Sequence, residues 1–189
     1  RQWSVLVHSR MLTYAHILDL DTKFRALLSS LPIFLRPDPT LEQLPEVRQE
    51  QAQRPYLAMH RLIVFEAVNQ RLLVLHRDDM CRGHHDEKFA YSTRVAVDAA
   101  RTILSCRQQI DNVHPAVQKH AAFRHHLFQA AIVLSIHLLE LSHKAQGESQ
   151  VAHQLRDDIA LIMNYLYGSN NLRTSLPVPQ KIALKLIEM

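Results

Sequence analysis

Apolar and polar residues alternate along most of this chain with the period of an α-helix. Through residues 3–31, apolar side chains recur every three or four positions, which places them on one face of a helix. Asp19, Asp21 and Thr22 interrupt this stretch, so the pattern predicts two helices there, the second capped by an acidic residue. Five prolines then fall within residues 31–55, and they predict one long loop with a short turn near residues 41–44.

The same spacing predicts further helices in the rest of the chain. They cover residues 57–80, 86–111, 116–145, 151–166 and 182–189, with a second loop at residues 170–179. The helix at residues 116–145 is apolar on most of its faces, so we expect it to lie buried at the centre of the fold. Gly83, Gly147 and Gly168 each follow one of these helices, at the position where a left-handed residue commonly ends a helix.

Composition supports the same fold class. Only three of the 189 residues are glycine, whereas average usage is roughly 7% and the tight turns of sheet proteins draw on glycine. We therefore predict an all-α fold, an irregular multi-helix bundle or array of about six to seven helices with one long Pro-rich loop. With 47% hydrophobic residues and this length, residues 1–189 are expected to form a single domain with its own core.

Charge and cysteine content exclude several classes of protein. Lys and Arg outnumber Asp and Glu by 22 to 18, an excess too small and too dispersed for a surface that follows a phosphate backbone. Two cysteines are too few for a disulfide framework or a cysteine zinc site, as is typical of a reducing compartment. The longest apolar stretch, residues 130–141, is too short to span a membrane. No secretory leader is visible, and both ends resemble helix interiors, so we expect a piece of a longer protein.

Thirteen histidines raise the question of a metal site. His84 and His85 stand in a row with two acidic residues, but zinc sites need ligands that converge from different elements or a His pair on one helical face. No His-Glu-x-x-His motif occurs, and His120, His125 and His126 are spaced so that they splay around a helix. We therefore assign no metal ligand and expect these histidines to be polar residues on exposed helix faces.

Enzyme motifs are also incomplete. The pair Asp78-Asp79 is similar to part of the magnesium motif of all-helical terpene synthases, but Arg82 follows where a further carboxylate is needed. No Gly-x-Ser-x-Gly motif or phosphate-binding glycine loop is present. Cys106 lies on an apolar stripe, where a cysteine behaves as a small hydrophobic residue. Basic neighbours of Cys81 raise the alternative of a lowered pKa, but we expect a spectator thiol at a helix end. We assign no catalytic or cofactor-binding residue and predict that the chain is not an enzyme.

Residues 61–104 carry the most specific pattern in the chain. The pattern consists of a helix ending in Leu-His-Arg, a short loop, an aromatic-Ser pair and a helix carrying Ala-Ala. It comprises Leu75, His76, Arg77, Tyr91, Ser92, Ala99 and Ala100. In order and spacing it resembles the middle homology region, the fungal-specific regulatory domain of zinc-cluster transcription factors. An upstream helix that closes with Leu-Pro, residues 18–32, extends the resemblance. Two positions depart from the family pattern: Asp78-Asp79 replaces a proline and an aromatic residue, and Ala96 replaces a cysteine.

The resemblance implies the C-terminal part of a regulatory domain in a nuclear transcription factor. In this family a six-cysteine, two-zinc cluster binds DNA, and this chain lacks one. Zinc is therefore expected only in that module, and DNA is expected to be contacted only through it. No cofactor is expected in this chain. A small-molecule effector, a co-regulator protein and a second copy of the chain stay open as partners, whereas no membrane is expected. The seven signature residues are expected to be structural.

Two alternatives in other functional classes stay open. One is a helical enzyme of secondary metabolism with a metal or diphosphate site, and the other is a helical protein-interaction scaffold. The signature itself predicts a packing device. His76 and Arg77 would satisfy carbonyls at a helix end, while Phe89 and Tyr91 would cover the junction with the next helix. The loops at residues 31–55 and 170–179 are candidate contact surfaces.

Overall fold

The computed structural model describes residues 13–36, 41–113, 121–144 and 150–167. Within these ranges the chain forms six α-helices and no strand, which confirms the all-α prediction. The helices are α1 (Tyr14–Ser30), α2 (Pro45–Gln53), α3 (Tyr56–Gly83), α4 (Ala90–Val113), α5 (Ala121–Lys144) and α6 (Gln150–Tyr167). None of them is long and apolar enough to cross a membrane. The helix predicted at residues 182–189, the second loop, Gly147 and Gly168 lie outside the described residues.

The chain divides into two compact units, Arg1–Val68 and Asn69–Met189, and α3 runs through the boundary between them. That both units belong to one domain stays a prediction.

In the first unit, α1 continues through the break predicted near Asp21, and that prediction was wrong. The acidic side chains meet partners one turn further on, since Asp21 accepts hydrogen bonds at 3.1 Å from Arg25. Thr22 donates its hydroxyl to the Leu18 carbonyl at 2.9 Å. The Asp21–Arg25 side-chain pair stabilises the helix, and the Thr22 hydroxyl is satisfied without breaking it, so polar residues here do not end α1. The helix begins after Thr13, whose side chain forms a capping box with His16.

The prediction of a single Pro-rich loop over residues 31–55 was also wrong, because a nine-residue helix, α2, lies within this range. Pro45 is the first residue of α2, a position where the missing N–H costs nothing and the fixed φ already suits a helix. Val47 is the buried anchor of α2, with 1% of its surface exposed. Two short 3₁₀ helices, Ile33–Leu35 and Leu41–Gln43, precede α2. A cluster of prolines here marks helix starts as well as a loop.

In the second unit, α5 packs between α4 and α6, as expected of the most apolar predicted helix. Apolar side chains from all three helices form the core there. Those with 1% exposure or less include Ile103, Cys106, Ile110, Leu127, Leu134, Leu155, Ile162 and Leu166. Arg101 of α4 donates to Asp158 of α6 at 2.9 Å and links the outer helices. Burial does not extend along all of α5, since Ala122 and His125 are exposed and Leu139 is 60% exposed. The prediction of a buried, central helix therefore holds for its middle turns, from Leu127 to Leu134.

Candidate functional site at the junction of α3 and α4

Three of the signature residues, His76, Tyr91 and Ser92, contact one another where α3 meets α4. His76 is fully buried on α3, and its Nδ1 lies 2.9 Å from the hydroxyl oxygen of Ser92, which is fully buried near the start of α4. The Tyr91 ring meets the His76 imidazole edge to face, with ring centroids 5.7 Å apart. Leu75 beside His76 is buried too. The contact joins residues sixteen positions apart in the sequence, so the signature describes a tertiary contact between two helices.

A second hydrogen bond ties the same two helices closer to the turn. The Thr93 hydroxyl donates to the Met80 carbonyl at 2.8 Å, and both residues are buried. Met80 is one of the last four residues of α3, whose carbonyls have no regular partner four positions further along the helix. Thr93 supplies a hydrogen bond to this carbonyl from α4.

Gly83 is the last residue of α3, and it has a role other than the one predicted for it. No described glycine has a positive φ, so Gly83 is not a left-handed cap. A Cβ built at this position would lie 2.5 Å from the Phe89 carbonyl oxygen and still closer to the Thr93 hydroxyl. The position needs glycine because the backbone of the following turn approaches too closely for any side chain.

An ion pair and a cation–π contact lie at the end of α3, beside the junction. They involve Arg82, Asp79 and Phe89. Arg82 donates to Asp79 at 2.7 Å, and its guanidinium lies over the Phe89 ring, 3.7 Å from the centroid. Phe89 is 4% exposed. The cation covers an aromatic face that would otherwise meet solvent, which is a favourable arrangement for an arginine.

Arg77 does not take part in the junction. Helix α3 continues past it to Gly83, so His76 and Arg77 do not lie at a helix end, and the prediction that they satisfy terminal carbonyls was wrong. Arg77 is exposed and pairs with the neighbouring carboxylate of Asp78 at 3.2 Å. The two small signature residues, Ala99 and Ala100, are buried further along α4 with 2% and 0% exposure.

The histidines after α3 converge with side chains of α5. His84 Nε2 lies 3.2 Å from His137 Nδ1, and the two ring centroids are 5.0 Å apart. His85 Nε2 lies 3.5 Å from a carboxylate oxygen of Glu140. Burial, His84 and Arg101 together lower the pKa of His137 to about 4, so its imidazole is uncharged at neutral pH. In the described part of the chain, no group of three or more potential ligands stands ready to hold a metal ion.

The environment of Cys81 agrees with the expected spectator thiol and contradicts the alternative of a lowered pKa. Partial desolvation raises the pKa of this thiol, and the carboxylates of Glu140 and Asp78 raise it further. The nearby arginines do not offset this effect, because Arg77 and Arg82 are each paired with an aspartate. Cys81 is exposed but is not an activated nucleophile.

A chain of polar side chains links α3 to α5 on a different side. Gln70 donates to Gln129 at 2.7 Å, and the Gln129 amide nitrogen lies 2.8 Å from His125 Nε2. Partial burial lowers the pKa of His125, with smaller contributions from His126 and Arg77. Burial also lowers the pKa of Arg124. The basic residues of this cluster, Arg124 and His125, both lie on α5, and His120 lies outside the described residues.

Two residues of this region, His137 and Thr93, were not identified from the sequence, and neither was the packing role of Gly83. Residues 84 and 137 are far apart in the chain, and no periodic pattern links them. Thr93 directly follows the signature Ser92, and that adjacency is the only signal that could have drawn attention to it. Chemically, the junction holds two helix ends in one fixed arrangement. Its hydroxyl–imidazole pair, Ser92 and His76, is fully buried and therefore closed to a substrate in this arrangement.

Two fungal transcription factors are similar to this chain over most of its length. A probable transcription factor from Aspergillus flavus, lepB, is 26% identical over 183 residues, which cover 92% of this chain and 32% of that protein. The agnestins biosynthesis cluster transcription factor AgnL11 from Paecilomyces divaricatus is 27% identical over 146 residues, covering 76% of this chain and 20% of that protein. No family model matches the chain, and no solved structure matches it.

The chain thus spans about a third and a fifth of the lengths of these two curated relatives. The aligned residues include the α3–α4 region in the longer alignment, which reaches almost the whole chain. Together these comparisons show that, over most of its length, the chain is distantly similar to fungal transcription factors.

Proposed function

We propose that this chain is the all-α regulatory domain of a fungal zinc-cluster transcription factor and controls transcription by RNA polymerase II without catalysing a reaction. The observation that carries the proposal is the similarity of two fungal transcription factors over 92% and 76% of the chain. The buried junction supports it, since three of the residues that resemble the family signature, His76, Tyr91 and Ser92, contact one another there.

The proposal divides the work between this chain and another part of its parent protein. A six-cysteine zinc cluster elsewhere in the parent would bind DNA, and the parent would act in the nucleus. This chain would change how strongly the bound protein activates or represses its targets. The short span of the chain relative to its two relatives leaves room for such a module.

Regulation requires that the domain respond to a partner. A small-molecule effector, a co-regulator or a second copy of the chain would act by binding one arrangement of the helices more tightly than another. In such a response, we expect the α3–α4 junction to keep its arrangement while other helices move. Its buried hydrogen bonds and the close approach at Gly83 leave little freedom for the two helix ends to move separately.

The contacts of the acidic pair favour this proposal over a diphosphate-binding enzyme. Binding magnesium and diphosphate requires several carboxylates that point toward one ion. Asp78 is paired with Arg77, and Asp79 is buried against Arg82 at 2.7 Å. Both carboxylates thus already have cationic partners, and they do not point to a shared ion.

The division of work can be tested in two steps. The coding sequence upstream of Arg1 is expected to encode six cysteines in a basic segment. The 189-residue chain is then titrated with a promoter DNA bound by the parent protein, using fluorescence anisotropy, and compared with a scrambled duplex. We expect equal, weak binding of both. Nanomolar binding selective for the promoter would contradict the proposal, as would an upstream sequence without the cysteines.

A further inference from the structure

The contact between His84 and His137 joins two segments that are distant in the sequence. His84 directly follows α3, whereas His137 lies in α5. Their facing nitrogens, Nε2 and Nδ1, are 3.2 Å apart, and the two rings are tilted by 35°. The ligands of a zinc site must converge from different elements, and the sequence alone shows no such convergence. The structure supplies that convergence for this pair.

The spacing of the two nitrogens suits coordination of one ion. Zinc–nitrogen bonds are about 2.0–2.1 Å long, and in a tetrahedral site two such nitrogens stand about 3.3–3.4 Å apart. The observed distance is 3.2 Å. The separation of the two nitrogens is therefore already close to the one that a shared zinc ion requires.

A second pair of side chains lies beside the first and joins the same two segments. Glu140 follows His137 by three positions in α5, so the two side chains share one face of the helix. Its carboxylate oxygen is 3.5 Å from His85 Nε2. A rotation of the Glu140 side chain would bring a carboxylate toward the histidine pair as a third ligand, with water completing the shell. No third ligand is already in place among the described residues.

Both positive and negative side chains surround the pair, and the positive charge of Arg101 acts against a bound cation. The positive charge of Arg101 is offset by Asp158, which it contacts at 2.9 Å. Glu140 adds a negative charge. Cys81 is not assigned as a ligand, since its raised pKa keeps it a thiol.

We propose that His84 and His137 form a binding site for a divalent transition metal ion of the zinc type, with Glu140 as the third protein ligand. The bound ion would hold the connection after α3 against α5. This proposal departs from the sequence-based expectation that the chain has no metal of its own. It is independent of the proposed role in transcription, and either can fail without the other.

The test is a calorimetric titration of the chelator-treated full chain with Zn²⁺, repeated with Co²⁺, whose visible absorption reports the coordination geometry. We expect saturable binding of about one equivalent and an intense Co²⁺ band typical of tetrahedral sites. His137→Ala and His84→Ala should each weaken binding at least about tenfold, and Glu140→Gln should weaken it less. The matched control is His143→Ala, an exposed histidine on the same helix, which should leave the affinity unchanged.

Two results would overturn the proposal. One is the absence of saturable Zn²⁺ binding to the folded wild-type chain, which would leave the pair as an ordinary hydrogen bond between imidazoles. The other is unchanged affinity in the His84→Ala/His137→Ala double variant, which would place the metal on other histidines. Circular dichroism of each variant shows whether a loss of binding reflects a loss of helix.

Discussion

His76 and Ser92 form a fully buried contact, with 2.9 Å between the imidazole Nδ1 and the hydroxyl oxygen. Each residue carries a polar group that would be costly to bury alone. The contact therefore fixes which face of α3 meets the start of α4. It explains physically why a histidine and a serine sixteen positions apart belong to one signature.

Replacing Ser92 with alanine should destabilise the domain. The variant removes the hydroxyl and leaves a buried imidazole nitrogen with one partner fewer, which costs about 1–3 kcal/mol. Urea unfolding of the full chain, followed by circular dichroism, measures the effect. Ser105→Ala is the matched control, because Ser105 lies on the same helix and is exposed. Equal stability of the two variants would mean that the His76 contact contributes nothing.

Gly83→Ala should destabilise the chain, although alanine normally favours a helix by about 1 kcal/mol over glycine. The added Cβ would meet the Phe89 carbonyl at 2.5 Å and the Thr93 side chain. We expect a loss of about 1–3 kcal/mol, as for other overpacked sites. Cys81→Ala, an exposed position on the same helix, is the control and should change little. A Gly83→Ala variant as stable as wild type, or more so, would refute the close approach.

The two arginines at the end of α3 should differ in their effects. Arg82 contacts Asp79 and covers Phe89, so Arg82→Ala should cost about 1 kcal/mol after allowance for its exposure. Arg77 is paired only with its exposed neighbour in the contacts described, and Arg77→Ala should fall within about 0.5 kcal/mol of wild type. Thermal melting of both variants decides the ranking. The reverse order would restore Arg77 to the role that the sequence predicts for it.

Alkylation tests the environment of Cys81. Because burial and nearby carboxylates raise its pKa, the thiolate fraction at neutral pH is below that of an ordinary cysteine, and reaction with iodoacetamide should be slower. The rate should keep rising as the pH increases above the ordinary thiol range. Asp78→Asn removes one of the carboxylates and should speed the reaction. Mass spectrometry distinguishes Cys81 from the buried Cys106. Rapid modification at pH 7 would contradict the account.

Helical periodicity predicts the existence of α3, α4 and α6 because each buries one apolar stripe, and such a stripe is visible in the sequence. It fails where polar residues have local partners. Asp21 and Thr22 resemble a break until Arg25 and the Leu18 carbonyl are seen to satisfy them. It fails again at Pro45, since a proline at the first position of a helix and a proline in a loop are indistinguishable without the backbone.

For the candidate site, the sequence identifies the signature residues but not their contacts. His76 and Tyr91 are found in the order that the family pattern requires, and the structure brings them together. In the sequence, Gly83 looks like a left-handed residue beyond the helix, and this places the end of α3 too early. In the structure, Gly83 belongs to α3, and its lack of a side chain leaves space for the Phe89 carbonyl. The partnership of His84 with His137 depends on how α5 packs, which no local pattern encodes.

The central claim is that this chain regulates transcription without itself selecting the DNA. The most direct measurement uses the full-length parent protein in its own host, with and without residues 1–189, at matched protein abundance. Chromatin immunoprecipitation reports promoter occupancy, and RNA sequencing reports transcripts of the occupied genes. The account predicts that the deletion leaves occupancy in place and changes transcript levels several-fold. Unchanged transcripts at unchanged occupancy would contradict it.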